Sequence, residues 1–358
     1  MLYEILPDPR ALVAGKGKVA GQVLHIHRTI PESVPVGHFT DNGVEVVDEV
    51  VDRGLYLGWI EEACAALGES LEVRFYDHFD EEFDASVLDE LPGIRSLAID
   101  SLPVVRYPEA IGRLPGLTSL LFGPRRILDT RILSAVGVER LEHFTLAGTP
   151  TPAIDLSPFA DARSLRSLRL LGHGKKTEAI GGASALTELA LQPSAKFSLE
   201  FINRLESLGS LKFVLGSTTS IRSIEALPVL QDLSFREVRN LEDLGDLQRF
   251  ARLRRLQVSD QPKVAELHVG SRNAALEHLY LYSLPRLHTL GGFLALPAVK
   301  SLFAYDSRLD LPLSQLPPTL THLQLMSKAV RGRDVHAAQV RAVGLTPAVH
   351  PDATFFYK

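Results

Sequence analysis

One hydrophobic pattern returns eleven times along this chain of 358 residues. Written as L-x-x-L-x-L, with other apolar residues at some positions, its copies are Ile94/Leu97/Ile99, Leu117/Leu120/Phe122, Leu141/Phe144/Leu146, Leu165/Leu168/Leu170, Leu186/Leu189/Leu191, Leu208/Leu211/Phe213, Leu230/Leu233/Phe235, Leu253/Leu256/Val258, Leu276/Leu279/Leu281, Val299/Leu302/Ala304 and Leu320/Leu323/Leu325. Successive copies begin 21 to 24 residues apart. Units of this length bury their apolar faces only by stacking on their neighbours. The sequence therefore predicts a solenoid over residues 91–328 rather than one globular core.

Each copy predicts one short strand, because its last two apolar positions alternate with other residues. Parallel strands stacked about 4.8 Å apart would carry the leucines on one face of a sheet. The segments between the strands would return along the far side. Three of them have helical patterns, at 84–91, 197–208 and 241–250, whereas a leucine at every third residue of 284–290 predicts an extended or 3₁₀ segment.

This pattern and its period resemble the leucine-rich repeat superfamily. The resemblance covers about residues 91–328 and implies an α/β solenoid: a curved parallel sheet on the concave side, a mixed helical, 3₁₀ and extended convex side, and a cap at each end. It also implies a chain that works by binding something else. The last copy contains Leu316-Pro317-Pro318 before its strand, which resembles repeats of bacterial effector proteins and suggests a bacterial source.

The chain departs from the family at one position. Three residues after the last strand leucine, the family usually has an asparagine whose amide satisfies backbone groups of the turn. Here the position is occupied by Leu102, Arg125, Thr149, His173, Ser194, Gly216, Val238, Gln261, Leu284, Ser307 and Lys328. The turn groups must therefore find other partners, because buried amides are rarely left unpaired.

The two flanks of the repeats are expected to act as caps. In 1–90 we expect a strand at 22–28, a helix over 44–68 with a break near Gly54, and a pre-repeat strand at 70–76 that extends the sheet. In 329–358 we expect a helix at 334–343 and a strand at 353–357. A terminal repeat without such a cap would expose its apolar core.

Composition excludes several classes of function. A net charge of −5 argues against nucleic acid, whose binders carry concentrated basic surface. No segment approaches the roughly 18–20 apolar residues that a membrane helix requires, and the N-terminal residues do not have the pattern of a secretory signal. The single cysteine, Cys64, fits a reducing cytoplasm.

Four fragments resemble chemical sites in part, and each has a simpler interpretation. Gly172–Thr177 contains a Gly-Lys pair but lacks the earlier glycine of a phosphate-binding loop. His25 and His27 share one face of a strand without a third metal ligand, and 78–84 is acidic without calcium-loop spacing. Cys64 lies in an alanine-rich helix without a base to activate it. We therefore predict no enzymatic activity, no cofactor and no metal.

The concave surface is where a partner is expected. Near the C-terminus, the side chains that alternate with the strand leucines are mostly aromatic, histidine and amide residues, types that are enriched in interfaces or able to hydrogen-bond across them. We define the concave patch as His278, Tyr280, Tyr282, Phe303, Tyr305, His322, Gln324 and Met326, with a rim of Arg236, Arg255, Asp260 and Asp306. Four aromatic residues cluster there, although aromatics are only 7% of the chain.

Two alternatives stay open for the patch and three for the function. The patch is either exposed or covered by the C-terminal segment, and a slip of one residue in register would turn its side chains inward. The favoured function is a monomeric, non-enzymatic cytoplasmic module that binds a protein partner at the patch. The alternatives are a structural or self-assembling protein, and an effector- or immunity-type protein with a small active region in 1–90.

Overall fold

The computed structural model of the protein describes residues 5–14, 22–27, 30–40, 45–76, 82–147, 153–172, 174–327 and 344–347. For seven of these residues only the backbone is described: His27, Phe39, Leu313, Met326, Ser327, Thr346 and Pro347. The chain divides into two compact units, Met1–Ala185 and Leu186–Lys358. The boundaries predicted at residues 90 and 328 follow the repeat pattern and stay predictions.

Short strands dominate both units. In the first unit they are β1 (Gln22–His27), β2 (Ser33–Phe39), β3 (Glu45–Asp52), β4 (Leu71–Tyr76), β5 (Phe83–Asp84), β6 (Ser96–Asp100), β7 (Val105–Arg106), β8 (Ser119–Gly123), β9 (His143–Ala147), β10 (Ile154–Asp155), β11 (Ser167–Leu171) and β12 (Gly174–Lys175). In the second unit they are β13 (Glu188–Leu191), β14 (Ser210–Val214), β15 (Asp232–Arg236), β16 (Arg255–Ser259), β17 (Glu266–His268), β18 (His278–Tyr282), β19 (Thr289–Gly291), β20 (Ser301–Ser307), β21 (His322–Ser327) and β22 (Thr346–Pro347).

Helices are few in the described part of the chain. The α-helices are α1 (Pro9–Ala14), α2 (Arg53–Leu67), α3 (Glu109–Arg113) and α4 (Ile132–Ala135). The 3₁₀ helices are Gly68–Ser70, Ala85–Glu90, Val138–Arg140, Ser157–Asp161, Thr177–Gly182, Glu200–Arg204, Leu247–Arg249, Phe293–Ala295 and Leu313–Gln315.

In the first unit, a parallel sheet has the strand order β1-β4-β6-β8-β9-β11. The predicted pre-repeat strand is confirmed as β4, in which Val73 pairs with Leu97 and Phe75 pairs with Ile99. The strand predicted at 22–28 is confirmed as β1, which pairs with β4 on its other side. The first repeat is therefore covered by two further strands.

In the second unit, a parallel sheet has the order β13-β14-β15-β16-β18-β20-β21-β22. Equivalent residues of successive copies are direct partners, as in Leu211 with Leu233 and Leu256 with Leu279. The strand leucines of the repeats are almost completely buried, between 0 and 1% exposed for these four. The predicted register is thus confirmed, and the alternate positions form the opposite face, which we call the concave face.

The helices predicted between the repeat strands are 3₁₀ helices rather than α-helices at all three places. Residues 84–91 and 197–208 contain the 3₁₀ helices Ala85–Glu90 and Glu200–Arg204, and 241–250 contains only Leu247–Arg249. The last segment shows the reason, because its buried residues Leu241, Leu244, Leu247 and Phe250 recur at every third position. A spacing of three matches the 3.0 residues per turn of a 3₁₀ helix better than the 3.6 of an α-helix.

The helix predicted over 44–68 is only half correct. Residues 53–67 form α2, whose first turn is capped by the Asp52 side chain accepting from the Leu55 amide at 3.0 Å. Trp59 and Ala63, four residues apart on this helix, are buried, and Leu67 four residues further on is half-buried. Residues 45–52 instead form β3, antiparallel to β2. Four valines in this segment explain the difference, because β-branched side chains favour strands.

The carboxyl ends of five successive strands share an unusual backbone conformation. The residue after β14, β15, β16 and β18, and its equivalent in β20, has φ between 49° and 61°: Leu215, Glu237, Asp260, Ser283 and Asp306. The first four donate their amides to the next repeat, for example Leu215 to the Arg236 carbonyl at 2.8 Å and Asp260 to the Tyr282 carbonyl at 2.9 Å. The left-handed residues thus add one hydrogen bond beyond the end of the strand.

These bonds explain in part how the turns are paired without the family's asparagine. At the asparagine position, Leu102, Val238 and Leu284 are simply buried apolar side chains. Gln261 is also buried there, and its Nε2 donates to the Ser259 carbonyl at 2.8 Å. Backbone groups in the turn make the remaining bonds, such as the Leu284 amide with the Asp306 carbonyl at 3.0 Å.

An asparagine does bridge repeats at a different position. Asn273 is completely buried, and its Oδ1 accepts from the Gly270 amide at 3.0 Å. Its Nδ2 donates to the carbonyls of Leu247 and Phe250 at 2.9 and 3.2 Å. The equivalent residues of neighbouring repeats are buried and apolar: Leu205, Leu227, Phe250 and Leu296.

At the C-terminal end, β22 pairs in parallel with β21 through Thr346 and Pro347. The helix predicted at 334–343 and the strand predicted at 353–357 lie outside the described residues.

Candidate functional site

The register of β16, β18, β20 and β21 brings the predicted concave patch together in three rows. One row contains Arg255, His278, Ser301 and His322, and the next contains Gln257, Tyr280, Phe303 and Gln324. The third contains Ser259, Tyr282, Tyr305 and Met326, whose side chain lies outside the described part. Because parallel neighbours are about 4.8 Å apart, each row presents its side chains side by side.

The four aromatic rings form a stacked array across β18 and β20. Tyr280 stacks on Phe303 with ring centroids 4.9 Å apart and planes 11° from parallel. Tyr282 stacks on Tyr305 with ring centroids 5.2 Å apart and planes 12° from parallel. Along β18, the ring centroids of Tyr280 and Tyr282 are 6.1 Å apart. Each such pair contributes about 0.5–1.5 kcal/mol beyond the burial of its area. The four rings are therefore packed against one another within the protein itself.

The two central rings of the patch are buried, whereas its outer side chains are accessible. Tyr280 is 7% exposed and Phe303 is 5% exposed, so neither presents a face to solvent. Stacking within the array covers part of both rings, because each has the other as a nearly parallel neighbour with ring centroids 4.9 Å apart, which leaves no room for water between them. These rings therefore act mainly by packing. Whether residues 348–358 also lie over them falls outside the described part of the chain.

The accessible part of the patch surrounds this buried centre. Tyr282, Tyr305, Gln324 and His278 are half-buried, and His322 is exposed. The accessible aromatic surface is therefore offset toward the carboxyl ends of β18 and β20, where Tyr282 and Tyr305 lie.

Burial influences the chemistry of His278. Its Nδ1 lies 2.8 Å from the Ser301 hydroxyl, and its Nε2 lies 3.6 Å from a carboxylate oxygen of Glu277. Burial lowers the pKa of His278 below its usual range, although Glu277 acts in the opposite direction. The neutral imidazole is therefore favoured, which lets the ring donate at one nitrogen and accept at the other.

The predicted rim consists of charges that are already engaged. Arg255 forms an ion pair with Asp232, and Arg236 lies 3.9 Å from Glu237. Burial raises the pKa of Asp260, and the Glu237 charge adds to this effect while a hydrogen bond from Ser283 opposes it. Asp260 and Asp306 belong to the left-handed column, so strand alternation does not fix the direction of their side chains.

Sequence reasoning missed a charged network beside the first row. Glu277 accepts from Lys300 and from Arg254, at 3.1 Å in both cases. These two bonds hold the pKa of the Glu277 carboxyl below its usual range. The three residues precede β18, β20 and β16, and in sequence they stand at one position of three successive repeats. The alternation of basic, acidic and basic residues at this position, Arg254, Glu277 and Lys300, could have predicted these ion pairs from the sequence.

The comparisons with known proteins concern the fold. No protein-family model matches the chain, and no curated protein matches its sequence. Among solved structures, an internalin from Listeria monocytogenes is similar with a TM-score of 0.51 and 16% identity, covering 79% of this chain and 85% of the internalin. The chain folds as a leucine-rich repeat solenoid.

Two further structures resemble this leucine-rich repeat chain at lower scores. The functional domain of the internalin InlJ from Listeria monocytogenes has a TM-score of 0.42 and 13% identity, over 78% of this chain and 76% of that one. The leucine-rich repeat ectodomain of a receptor kinase from Arabidopsis thaliana has a TM-score of 0.39 and 17% identity, over 72% and 42%. At these identities the likeness concerns the fold alone.

The fragments considered for chemistry take structural roles in the solenoid. Gly174 and Lys175 form β12, and the Lys176 ammonium pairs with Asp155 at 2.9 Å. The His25 ring packs edge-on against Tyr76, with centroids 5.6 Å apart. Asp84 caps a 3₁₀ helix by accepting from the Ser86 amide.

Cys64 is buried, and burial raises the pKa of its thiol to about 12. A thiol with that pKa is protonated at neutral pH, and the thiolate is the reactive form. In the ranges that the structure describes, His, Cys, Asp and Glu side chains nowhere gather in a group of three suited to a metal ion. Nor does any helix within those ranges have the length and apolar character needed to cross a bilayer.

Proposed function

We propose that this leucine-rich repeat chain is a non-enzymatic module that binds a protein partner on the concave face of its second unit. The observation that carries the proposal is the stacked array of Tyr280, Phe303, Tyr282 and Tyr305, bordered by histidine and glutamine side chains. Solenoids typically bind along the strand side, and aromatic residues dominate the energetics of interfaces.

The mechanism would be recognition by a preformed surface. Tyr282 and Tyr305 are held by stacking and by the two buried rings beside them, so docking would freeze few side-chain rotamers. Each immobilised side chain costs about 0.5–1.5 kcal/mol on binding, and a rigid array avoids much of this cost. His278, His322 and Gln324 would supply polar contacts around the aromatic centre.

The compartment is a second part of the proposal. We infer that the protein works in a reducing cytoplasm as a monomer. A single buried thiol in the whole chain supports the first point. Sedimentation at several concentrations measures the second, and association that weakens with Tyr282 and Tyr305 substitutions would favour the self-assembling alternative instead.

The test uses side chains whose loss leaves the core intact. The Tyr282→Ser/Tyr305→Ser variant removes the accessible aromatic surface, and Tyr282→Phe/Tyr305→Phe keeps the rings without their hydroxyls. Both are compared with wild type as immobilised bait in lysate of the source organism, with Arg169→Ala on the concave face of the first unit as control. Far-UV circular dichroism verifies the fold of each bait.

The proposal requires a protein that is retained by wild type, by the phenylalanine variant and by Arg169→Ala, and lost from the serine variant. Retention by all four baits would move the binding surface away from the patch. Substitution of Tyr280 or Phe303 does not provide this test, because both rings are buried and their loss would perturb packing as well as binding.

A further inference from the structure

The first unit contains a two-stranded ribbon, formed by β2 and β3. One edge of this ribbon is already paired, since the Leu6 amide donates to the Pro35 carbonyl at 2.8 Å and the Gly37 amide donates to the Leu6 carbonyl at 3.1 Å. Among the described strands, β3 pairs only with β2. Within the described residues, the outer edge of β3 is therefore the edge of the ribbon without a pairing strand.

The backbone groups on that edge follow from the position of the proline. Pro35 lies opposite Val50, has no amide hydrogen, and turns its carbonyl toward Leu6. In an antiparallel pair, two opposed residues either exchange both bonds or turn both pairs of groups outward. Val50 therefore directs its N–H and C=O away from β2. These are the groups that an added strand would use.

The side chains of β3 are accessible over most of its length. Val50 is 61% exposed and Val47 is 45% exposed, which is high for valines in a strand. Only Val46 and Val51 are half-buried, and every other residue from Glu45 to Asp52 is exposed. An incoming strand would thus gain apolar contacts in addition to backbone hydrogen bonds.

The acidic residues of β3 favour a basic segment over an acidic or neutral one at this edge. Glu45, Asp48, Glu49 and Asp52 are interspersed with pairs of valines in the order Glu-Val-Val-Asp-Glu-Val-Val-Asp, and β3 has no basic residue. Asp48 lies 2.9 Å from His38, and Glu49 pairs with Arg10, so two carboxylates are already compensated by bases. A second copy on this edge would bring four more carboxylates and no base to it, and like charges that face each other across a strand pair are destabilising.

We propose that the outer edge of β3 binds an extended, basic segment of a partner protein by strand addition. Lysine or arginine side chains of that segment would lie among the carboxylates of β3, two of which already have a basic partner, and its backbone would pair with Val50. This surface is separate from the concave patch, and the inference does not depend on the function proposed for that patch.

The test measures fluorescence anisotropy of a labelled peptide that alternates lysine and valine, added to the full chain. The Val50→Pro variant removes the outward amide without removing a bond to β2, and Val50→Thr is the matched control that keeps it. The same peptide with N-methyl groups on all of its backbone amides keeps its charge but has no N–H group with which to pair as a strand. A lysine–glycine peptide of equal charge measures attraction without valine contacts.

We expect the lysine–valine peptide to bind wild type and Val50→Thr equally, and Val50→Pro or the N-methylated peptide to weaken binding at least about tenfold, the equivalent of one to two net hydrogen bonds. The Val50 amide resonance should shift on binding. Equal binding of the methylated and unmethylated peptides would overturn the proposal, because attraction would then be charge alone. Dimerisation that Val50→Pro abolishes would also overturn it, since the occupant would be a second copy.

Discussion

The buried asparagine between repeats allows a quantitative test of the packing argument. In the Asn273→Ala variant, three hydrogen bonds to backbone groups are lost, each contributing about 1 kcal/mol net. The carbonyls of Leu247 and Phe250 keep their turn bonds from the amides of Phe250 and Leu253. The Gly270 amide keeps no such partner and is left unpaired in a buried site. We expect a loss of roughly 3–4 kcal/mol in the free energy of unfolding.

A second asparagine provides the matched control. Asn203 also bridges two repeats, since its Nδ2 donates to the Ser223 carbonyl at 3.0 Å and its Oδ1 accepts from the Glu225 amide at 2.9 Å. It is partly exposed, so water replaces the lost partners, and Asn203→Ala should cost about 1 kcal/mol or less. Asn273→Leu restores the apolar side chain of the neighbouring repeats but still leaves the Gly270 amide unpaired, so its cost should lie between the two.

The assay is urea unfolding followed by far-UV circular dichroism, with amide hydrogen exchange at Gly270 as the local measurement. The reasoning predicts faster exchange at Gly270 in both Asn273 variants and an unchanged rate in Asn203→Ala. Equal losses of stability for Asn203→Ala and Asn273→Ala would refute it, because burial would then not decide the value of these bonds.

Three further results are expected. Phe303→Ala should lower the free energy of unfolding by about 3–4 kcal/mol in urea unfolding, because the ring is buried and stacked, and a loss below about 1 kcal/mol would contradict that burial. Gly292 has a φ of 74°, and an added Cβ would lie 1.9 Å from the Val269 carbonyl oxygen, so Gly292→Ala should lower the melting temperature markedly. Gly209→Ala should leave the melting temperature nearly unchanged, because its added Cβ would lie 3.7 Å from the nearest atom, the Thr187 carbonyl oxygen. Because the pKa of His278 is lower in the folded chain than in the unfolded chain, the unfolded chain takes up this proton at a higher pH as the solution is acidified. The stability that the neutral ring contributes is therefore fully present above about pH 6.5 and is lost as pH falls through the folded pKa. A titration of His278 by nuclear magnetic resonance measures the folded pKa, and the free energy of unfolding of His278→Gln should fall less steeply with acid than that of wild type.

The parts of the fold that follow from strand alternation could be predicted from the sequence. A period of two places Leu279 and Leu281 in the core and Tyr280 on the other face, and equal spacing of the copies sets Tyr280 beside Phe303. These relations need no knowledge of distant contacts. The composition of the concave patch follows from them directly.

The parts that depend on competition between local patterns could not be predicted in the same way. Val46, Val47, Val50 and Val51 have the spacing of a helical stripe, yet they form β3 because β-branched residues favour strands and β2 offers a pairing partner. The apolar residues of 241–250 also fit a helical stripe loosely, whereas their spacing of three fits 3₁₀ turns.

The burial of individual side chains within the patch could not be predicted from the sequence, for a different reason. Alternation gives the face on which a side chain lies, but the exposed fraction depends on which neighbours cover it. Tyr280 and Tyr282 lie on the same face of one strand, and only Tyr282 remains half-exposed. In a similar way, Asn273 occupies an apolar column, and its hydrogen bonds to two repeats become evident only once the turns are placed.

The residues in left-handed conformation at the strand ends are separate positions at which the stability of the protein can be raised by substitution. A residue other than glycine, asparagine or aspartate in that conformation costs about 1–2 kcal/mol, and Leu215, Glu237 and Ser283 each occupy it in a different repeat. Because the stabilities of stacked repeats add approximately, changing these three positions one at a time to asparagine should raise thermal resistance by similar increments. Thermal stability can therefore be raised at three separate positions, none of which belongs to the concave patch.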